Sequence, residues 1–325
     1  MHRTFRCALA VAASVVTLTM APATAQQWPT KPVRIIVPVT PAGPLDFMAR
    51  TIAQKLGDTF SQTFIIDNRP GANGIIGNEL AARSPADGYT LLTSTNSMLV
   101  MNRAAFDKLS FDPVNDFAPV TIVLSLPFAL FIHPSLPAKN VQEFVAHVRT
   151  RPGEYGYGSF GPASVPQFAM ELFMSKTGTR MNHVPFKGGV PVATALAAGE
   201  IKAVVDSIQN QLPFIKSNRV RTLALAAPRR IALMPDLPTL TEAGVSGADS
   251  GGWYAMLTPA GTPQAIVQRL HSEISKAMKS PDVRERYAPT GSELVLNTPA
   301  EFKAVLRSEI ERWTRIAREA NIKAY

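Results

Sequence analysis

VRIIVPVTPAGPLDFMARTIAQKL, residues 33–56, changes its hydrophobic period halfway along. Residues 33–39 form an almost unbroken apolar run rich in valine and isoleucine, the composition of a strand buried on both faces. The run stops at Thr40-Pro-Ala-Gly-Pro44, and apolar residues then return at Leu45, Met48, Ala49, Ile52, Ala53 and Leu56, ending at Gly57. That spacing is helical, so the stretch reads strand, tight loop, helix. The unit recurs. Residues 63–67 read as a second strand, Asn68-Arg-Pro-Gly71 as a turn, residues 74–82 as a short helix, and residues 89–94 as a third strand before Thr95-Asn96-Ser97. Strands alternating with helices of this length predict an α/β fold whose mainly parallel sheet carries helices on both faces.

After Asp112-Pro113 the pattern restarts. Strands are expected at residues 128–133, 155–159, 183–186, 201–207 and 222–227, with helices at 141–150, 165–178 and near 192–198. The chain thus holds two α/β halves of similar plan. Two long helices close it, at residues 263–279 and 298–321. The second opens on Thr298-Pro-Ala-Glu301, a capping box, and its stripe Phe302, Val305, Leu306, Trp313 and Ile316 makes Trp313 a core residue. No long Gly/Ser linker separates the halves, which predicts strands crossing directly between them and a hinge rather than a tether.

Compartment follows from the first residues. His2, Arg3 and Arg6 precede an apolar run at residues 8–20, and Ala23-Thr24-Ala25 supplies small residues for a signal peptidase. Residues 1–25 therefore read as a secretory signal cut after Ala25, and the mature chain as an exported, periplasmic protein. The single cysteine, Cys7, lies inside that signal, so no disulfide or cysteine metal ligand is expected. The formal charge of +9 falls to +7 once the two arginines of the signal leave. The remaining basic residues are dispersed along amphipathic segments, a pattern of solvated surface rather than of nucleic-acid binding.

Two loops carry the functional signal. Residues 40–46 and residues 158–164 each follow a strand, contain Gly and Pro, lack a basic side chain and open a helix. Such loops present backbone N–H groups at the positive end of a helix dipole, a ready anion site, and ligands in open parallel sheets bind at that end of the strands. One loop per half makes a clamp for a small anion; the alternative is a pair of ordinary helix caps. Asp46 likewise reads as a first-turn cap or as an acceptor for a ligand ammonium or hydroxyl. Gly156, Gly158 and Gly161 also spell G-x-G-x-x-G, but no carboxylate follows about 20 residues on to hold a ribose, so a dinucleotide is not expected. A hydrolase lacks its G-x-S-x-G motif, since Tyr157 stands two residues before Ser159 where a glycine belongs, and the histidines are scattered without metal-ligand spacing. No cofactor, metal or catalytic residue is expected.

Trp28-Pro-x-Lys-Pro-Val-Arg-Ile-Ile-Val-Pro38 followed by Pro41-x-Gly-x-x-Asp46-x-x-Ala-Arg50 resembles the opening of the Bug (Bordetella uptake gene) family, the solute receptors of tripartite tricarboxylate transporters. Asp67-Asn-Arg-Pro-Gly-Ala-Asn-Gly-Ile-Ile-Gly77, Ala86-Asp-Gly-Tyr-Thr-Leu91, His183-Val-Pro-Phe-Lys-Gly188, Leu237-Pro-Thr-Leu-Thr-Glu-Ala-Gly244, Trp253 and Pro259-Ala-Gly-Thr-Pro263 agree in the same order. The resemblance implies a type II-like, two-domain periplasmic binding protein, residues 26–126 and 251–325 in one domain and 127–250 in the other. It implies a monomer that captures a small carboxylate (a di- or tricarboxylate, an amino acid or an aromatic acid) and delivers it to membrane transporter subunits. By position it assigns the ligand to Thr40, Ala42, Gly43 and Asp46 in the first domain. In the second it assigns Gly158, Ser159, Phe160, Gly161, Ala163, Ser164 and Gln167. Thr95, Asn96 and Ser97, with Asp206 and Ser207, face the same cleft. The sequence departs from the family pattern at Ala42, Val39, Gln167 and Asn73, where glycine, an aromatic residue, histidine and glycine are usual. The rival reading is a secreted hydrolase acting on a small carboxylate-bearing ester or amide.

Overall fold

The computed structural model describes residues 28–319 and 322; the signal segment and Cys7 lie outside the described residues. The opening stretch folds as its periodicity demands. In β1 (Val33–Val37) Val33, Ile35, Ile36 and Val37 are wholly buried, and α1 (Pro44–Phe60) turns Leu45, Met48, Ala49, Ile52, Ala53 and Leu56 into the core. Next come β2 (Phe64–Asn68), α2 (Ile75–Ala82) and β3 (Thr90–Thr95). One turn of π-helix at Ser97–Met101 leads into α3 (Asn102–Ala105) and then β4 (Phe117–Ile132). The second half contributes α4 (Val141–Arg149), β5 (Gly156–Ser159), α5 (Val165–Thr177), β6 (Asn182–Pro185), α6 (Gly189–Ala198), β7 (Ala203–Ser207), α7 (Ile208–Lys216) and β8 (Arg221–Leu225). The chain returns through β9 (Gly251–Pro259), α8 (Gln264–Met278), α9 (Pro281–Tyr287), β10 (Glu293–Leu294) and α10 (Pro299–Glu319).

The strands run in the order β2-β1-β3-β9-β4-β7-β5-β6, with β8 and β10 also on β4. Pairing is parallel within β2-β1-β3 and β7-β5-β6 and antiparallel wherever β4 or β9 meets a neighbour. The α/β class holds, but the sheet is mixed, because a strand that leaves one half and a strand that returns to it must run in opposite directions. β4 is the crossing strand. Residues 117–127 pair with β9, and residues 128–132 pair with β7 and β8.

This topology fixes where the strand ends point. β9 is antiparallel to both β3 and β4, so β1 and β3 end in the direction in which β4 departs. β7 is antiparallel to β4 and β5 is parallel to β7, so both end facing back. The carboxyl ends of the two half-sheets therefore oppose each other. Thr95 lies level with Leu124, through Tyr254, and Ser207 pairs with Phe128. Four residues of β4 separate these levels, about 13 Å at a rise of roughly 3.3 Å each.

Five elements escaped the periodicity: the first part of β4, β9, α7, α9 and β10. β9 opens on two glycines and α7 contains Pro213, so neither shows a clean period. α10 does follow its stripe, and its capping box forms, Thr298 N–H donating to Glu301 Oε2 at 2.8 Å. Trp313 is 2% exposed and meets Phe168 of α5 edge-on at 5.8 Å, so α10 packs against the second half as well as the first.

Candidate ligand-binding cleft

The two loops singled out in the sequence share one construction. In the first, Ala42 has a left-handed backbone, φ 70°, and its N–H donates to Asp46 Oδ2 at 3.0 Å. In the second, Ala163 is left-handed, φ 57°, and its N–H donates to Gln167 Oε1 at 2.8 Å. In each loop a side chain from the first helical turn reaches back four residues to fix a strained alanine. The following N-caps, Gly43 of α1 and Ser164 of α5, make no side-chain cap hydrogen bond, and proline sits in the first turn of each helix. Ser164 Oγ donates instead to the Gly161 carbonyl at 2.7 Å. Both helices thus present N–H groups that their own caps leave open, at the positive end of the dipole.

The halves touch at these positions. The Val165 N–H donates to Ser97 Oγ at 3.0 Å, so a serine from the end of β3 caps α5 in the opposite half. Asn73, itself left-handed at φ 48°, donates through Nδ2 to the Ala163 carbonyl at 2.8 Å and to Asn102 Oδ1 at 2.9 Å. Sequence reasoning noticed Asn73 only as a departure from glycine. The signal was its residue type, since asparagine is among the few side chains that tolerate the left-handed region.

Several expected site residues make hydrogen bonds within the protein that hold the loops and strand ends. Asp46 is 1% exposed; burial would raise its pKa, but bonds from Arg50, Asn68 and the Ala42 N–H outweigh this and hold it below the usual range. Asn96 spans the end of β3 and the start of β9, donating to the Gly251 carbonyl at 2.7 Å and accepting from the Trp253 N–H at 3.3 Å. Asp206 is wholly buried and accepts from the Ser207 N–H, Asn210 Nδ2 and Gln211 Nε2; burial pushes it up to about 6. Ser207 Oγ caps α7 by accepting from the Asn210 N–H, and Thr95 Oγ1 accepts from the Met98 N–H.

The glycines separate by cause. A Cβ at Gly158 would run into Ile201 Cδ1 and come within 3.0 Å of Val192 Cγ1, so a side chain there would displace its core neighbours. Gly161 has φ 116°, a backbone that L side chains rarely adopt. Gly43 has an ordinary φ of −81°, and the nearest atom to a Cβ there is the Thr40 carbonyl oxygen at 3.9 Å. Thr40 and Ala42 are exposed, while Thr95, Ser97 and Phe160 are half-buried. Tyr254, which the sequence did not flag, lies on β9 opposite Thr95; burial raises its phenol pKa, and the charge of Asp206 from the other half raises it further.

Ser159 and His183 do meet, Oγ to Nε2 at 2.6 Å. Ser159 has no exposed surface, and its Oγ also accepts from the Gly161 N–H. His183 stacks on Tyr157 at 5.1 Å, and burial lowers its pKa. Among the described residues no carboxylate bonds its ring. The pair locks the second loop, and the hydrolase reading finds no support.

Two α/β halves joined by crossing strands, with open helix starts opposed across the gap, define a bilobal solute-binding receptor. The chain belongs to the tripartite tricarboxylate transporter receptor family, whose model matches residues 48–322. It is 33% identical over 304 residues to protein BugT of Bordetella pertussis, covering 93% of each chain. Among solved structures it is similar to R. palustris Rpa4515 with adipate, at 33% identity and TM-score 0.85, over 91% of this chain and 99% of that one. It is also similar to MatC from Rhodopseudomonas palustris with bound malate, at 30% identity and TM-score 0.82, over 89% of this chain and 99% of that one.

Proposed function

We propose that the protein is a periplasmic receptor that closes its two halves on one small carboxylate and delivers it to the membrane subunits of a tripartite transporter. The observation that carries this reading is the matched pair of helix starts at Gly43 and Ser164, uncapped by their own side chains and held by the same alanine-to-side-chain bond. The main-chain N–H groups of Gly43, Leu45 and Asp46 and of Ser164 and Gln167 receive the carboxylate; Thr40, Ala42, Thr95, Ser97, Phe160, Gly161 and Ser207 line the gap. Asp46, Asn96, Ser159, Ala163, Gln167 and Asp206 position that lining, and Gly158 serves packing. On this reading residues 26–126 and 251–325 make one half and 127–250 the other. Since one chain supplies both helix starts, a monomer completes the site.

The relatives that carry adipate and malate support a dicarboxylate as the first probe. Calorimetric titration with malate, adipate, citrate, aspartate and benzoate is expected to give saturable binding for at least one. A ligand at 100 times its Kd then adds about 2.7 kcal/mol of thermal stability. Neither heat nor a melting shift from any of the five would overturn the reading.

A further inference from the structure

A cavity of about 600 Å³ lies where the chain crosses between the halves. Its lining includes Leu126 and Pro127 of β4, Asp249 and Ser250 at the return crossing, and Glu309 and Arg312 of α10. None of the residues named for the cleft lines it. The volume is ordinary for a small-molecule site. Two buried polar atoms there have no hydrogen-bond partner: Asp249 Oδ1 and Ser250 Oγ, the serine being 7% exposed. Buried polar groups are normally satisfied, so each signals a missing partner.

The surrounding charges specify what that partner carries. Arg312 donates to the Asp249 carbonyl at 2.6 Å through one Nη2–H, and a guanidinium has five donors. Glu309 Oε2 accepts from Trp253 Nε1 at 2.9 Å. Burial raises the pKa of Glu309, so a neighbouring cation would relieve it. Arg229 is already engaged with Glu293 at 2.9 Å. A lone anion would face Asp249 and Glu309, and a lone cation would face Arg312. We infer that this hinge cavity binds a small zwitterion of the free amino acid class, the buried Asp249 and Ser250 side chains turning to meet it: its ammonium on Asp249 and Glu309, its carboxylate on Arg312 and Ser250.

The test uses tryptophan fluorescence, because Trp313 lines the cavity and Trp253 bonds Glu309. Glycine, L-alanine, L-serine and L-leucine are titrated into the purified protein, with propionate and ethylamine as the one-charge halves of alanine. At least one amino acid is expected to bind at least tenfold more tightly than either half. Asp249→Asn, which keeps the shape of the side chain, and Ser250→Ala are each expected to weaken that binding fivefold or more. Gly43→Val, which obstructs only the cleft, is expected to leave it unchanged. The inference is overturned if no amino acid gives a response, meaning that the cavity holds water only, or if propionate or ethylamine binds equally well. Binding that survives both Asp249→Asn and Ser250→Ala but disappears in Gly43→Val would overturn it too, by placing the amino acid in the cleft.

Discussion

Asp206 shows burial and hydrogen bonding pulling one carboxylate in opposite directions. Its carboxylate is wholly buried, takes three protein donors and is still held up to about 6 by burial. The unfolded chain, with Asp206 at its ordinary 3.8, binds fewer protons than the folded one between about pH 4 and 6. The stability this group contributes is therefore present in acid and is lost as the pH rises through 6. At about 1.4 kcal/mol per unit, the loss amounts to about 3 kcal/mol. Asp46 has the opposite sign, so the measurement is a difference: urea melts of wild type and Asp206→Asn at pH 4, 5.5 and 7. Wild type is expected to lose on the order of 2–3 kcal/mol relative to the variant across that range, and parallel stability curves would rule the assignment out. Gln211 Oε1, buried and unpartnered, can accept from the new amide once its own amide turns over.

At the scale of elements, the two loops were legible because glycine and proline punctuate a change of period, and that change places a helix start after each strand. Their shared construction was half legible, with Asp46 seen as a cap and Gln167 as a ligand group. The bond from Ser97 to α5 was not legible, since it joins residues 68 positions apart that only the crossing of β4 brings together. β9 escaped for the same reason: its pattern of Gly, Trp and Pro reflects neighbours on both sides rather than an intrinsic strand period. Ser97→Ala removes the cap on Val165 at a cost of about 1 kcal/mol, and this cost falls on the closed arrangement of the halves. The account expects a larger radius of gyration in small-angle scattering and roughly fivefold weaker ligand binding. If both stay at their wild-type values, the bond does not contribute to closure.

For the whole molecule, the fold supplies an opposed pair of positive helix ends at the carboxyl edges of two half-sheets, with a crossing strand and a returning strand as the hinge. Each helix end contributes about 0.3–1 kcal/mol to an anion at the surface and up to about 2 kcal/mol when partly buried. Both act on one carboxylate only if the halves close, so recognition and closure are the same event. Gly43 offers the cleanest test of this claim. Its φ is ordinary and a Cβ there meets nothing closer than 3.9 Å, so the fold leaves room for a Cβ at that position. Gly161→Val, in contrast, would strain the backbone whatever the ligand does. The decisive measurement is calorimetric titration of Gly43→Val with the dicarboxylate that wild type binds, alongside its melting curve. The account predicts binding weakened at least a hundredfold with a melting temperature near that of wild type; wild-type affinity in a well-folded variant would contradict it.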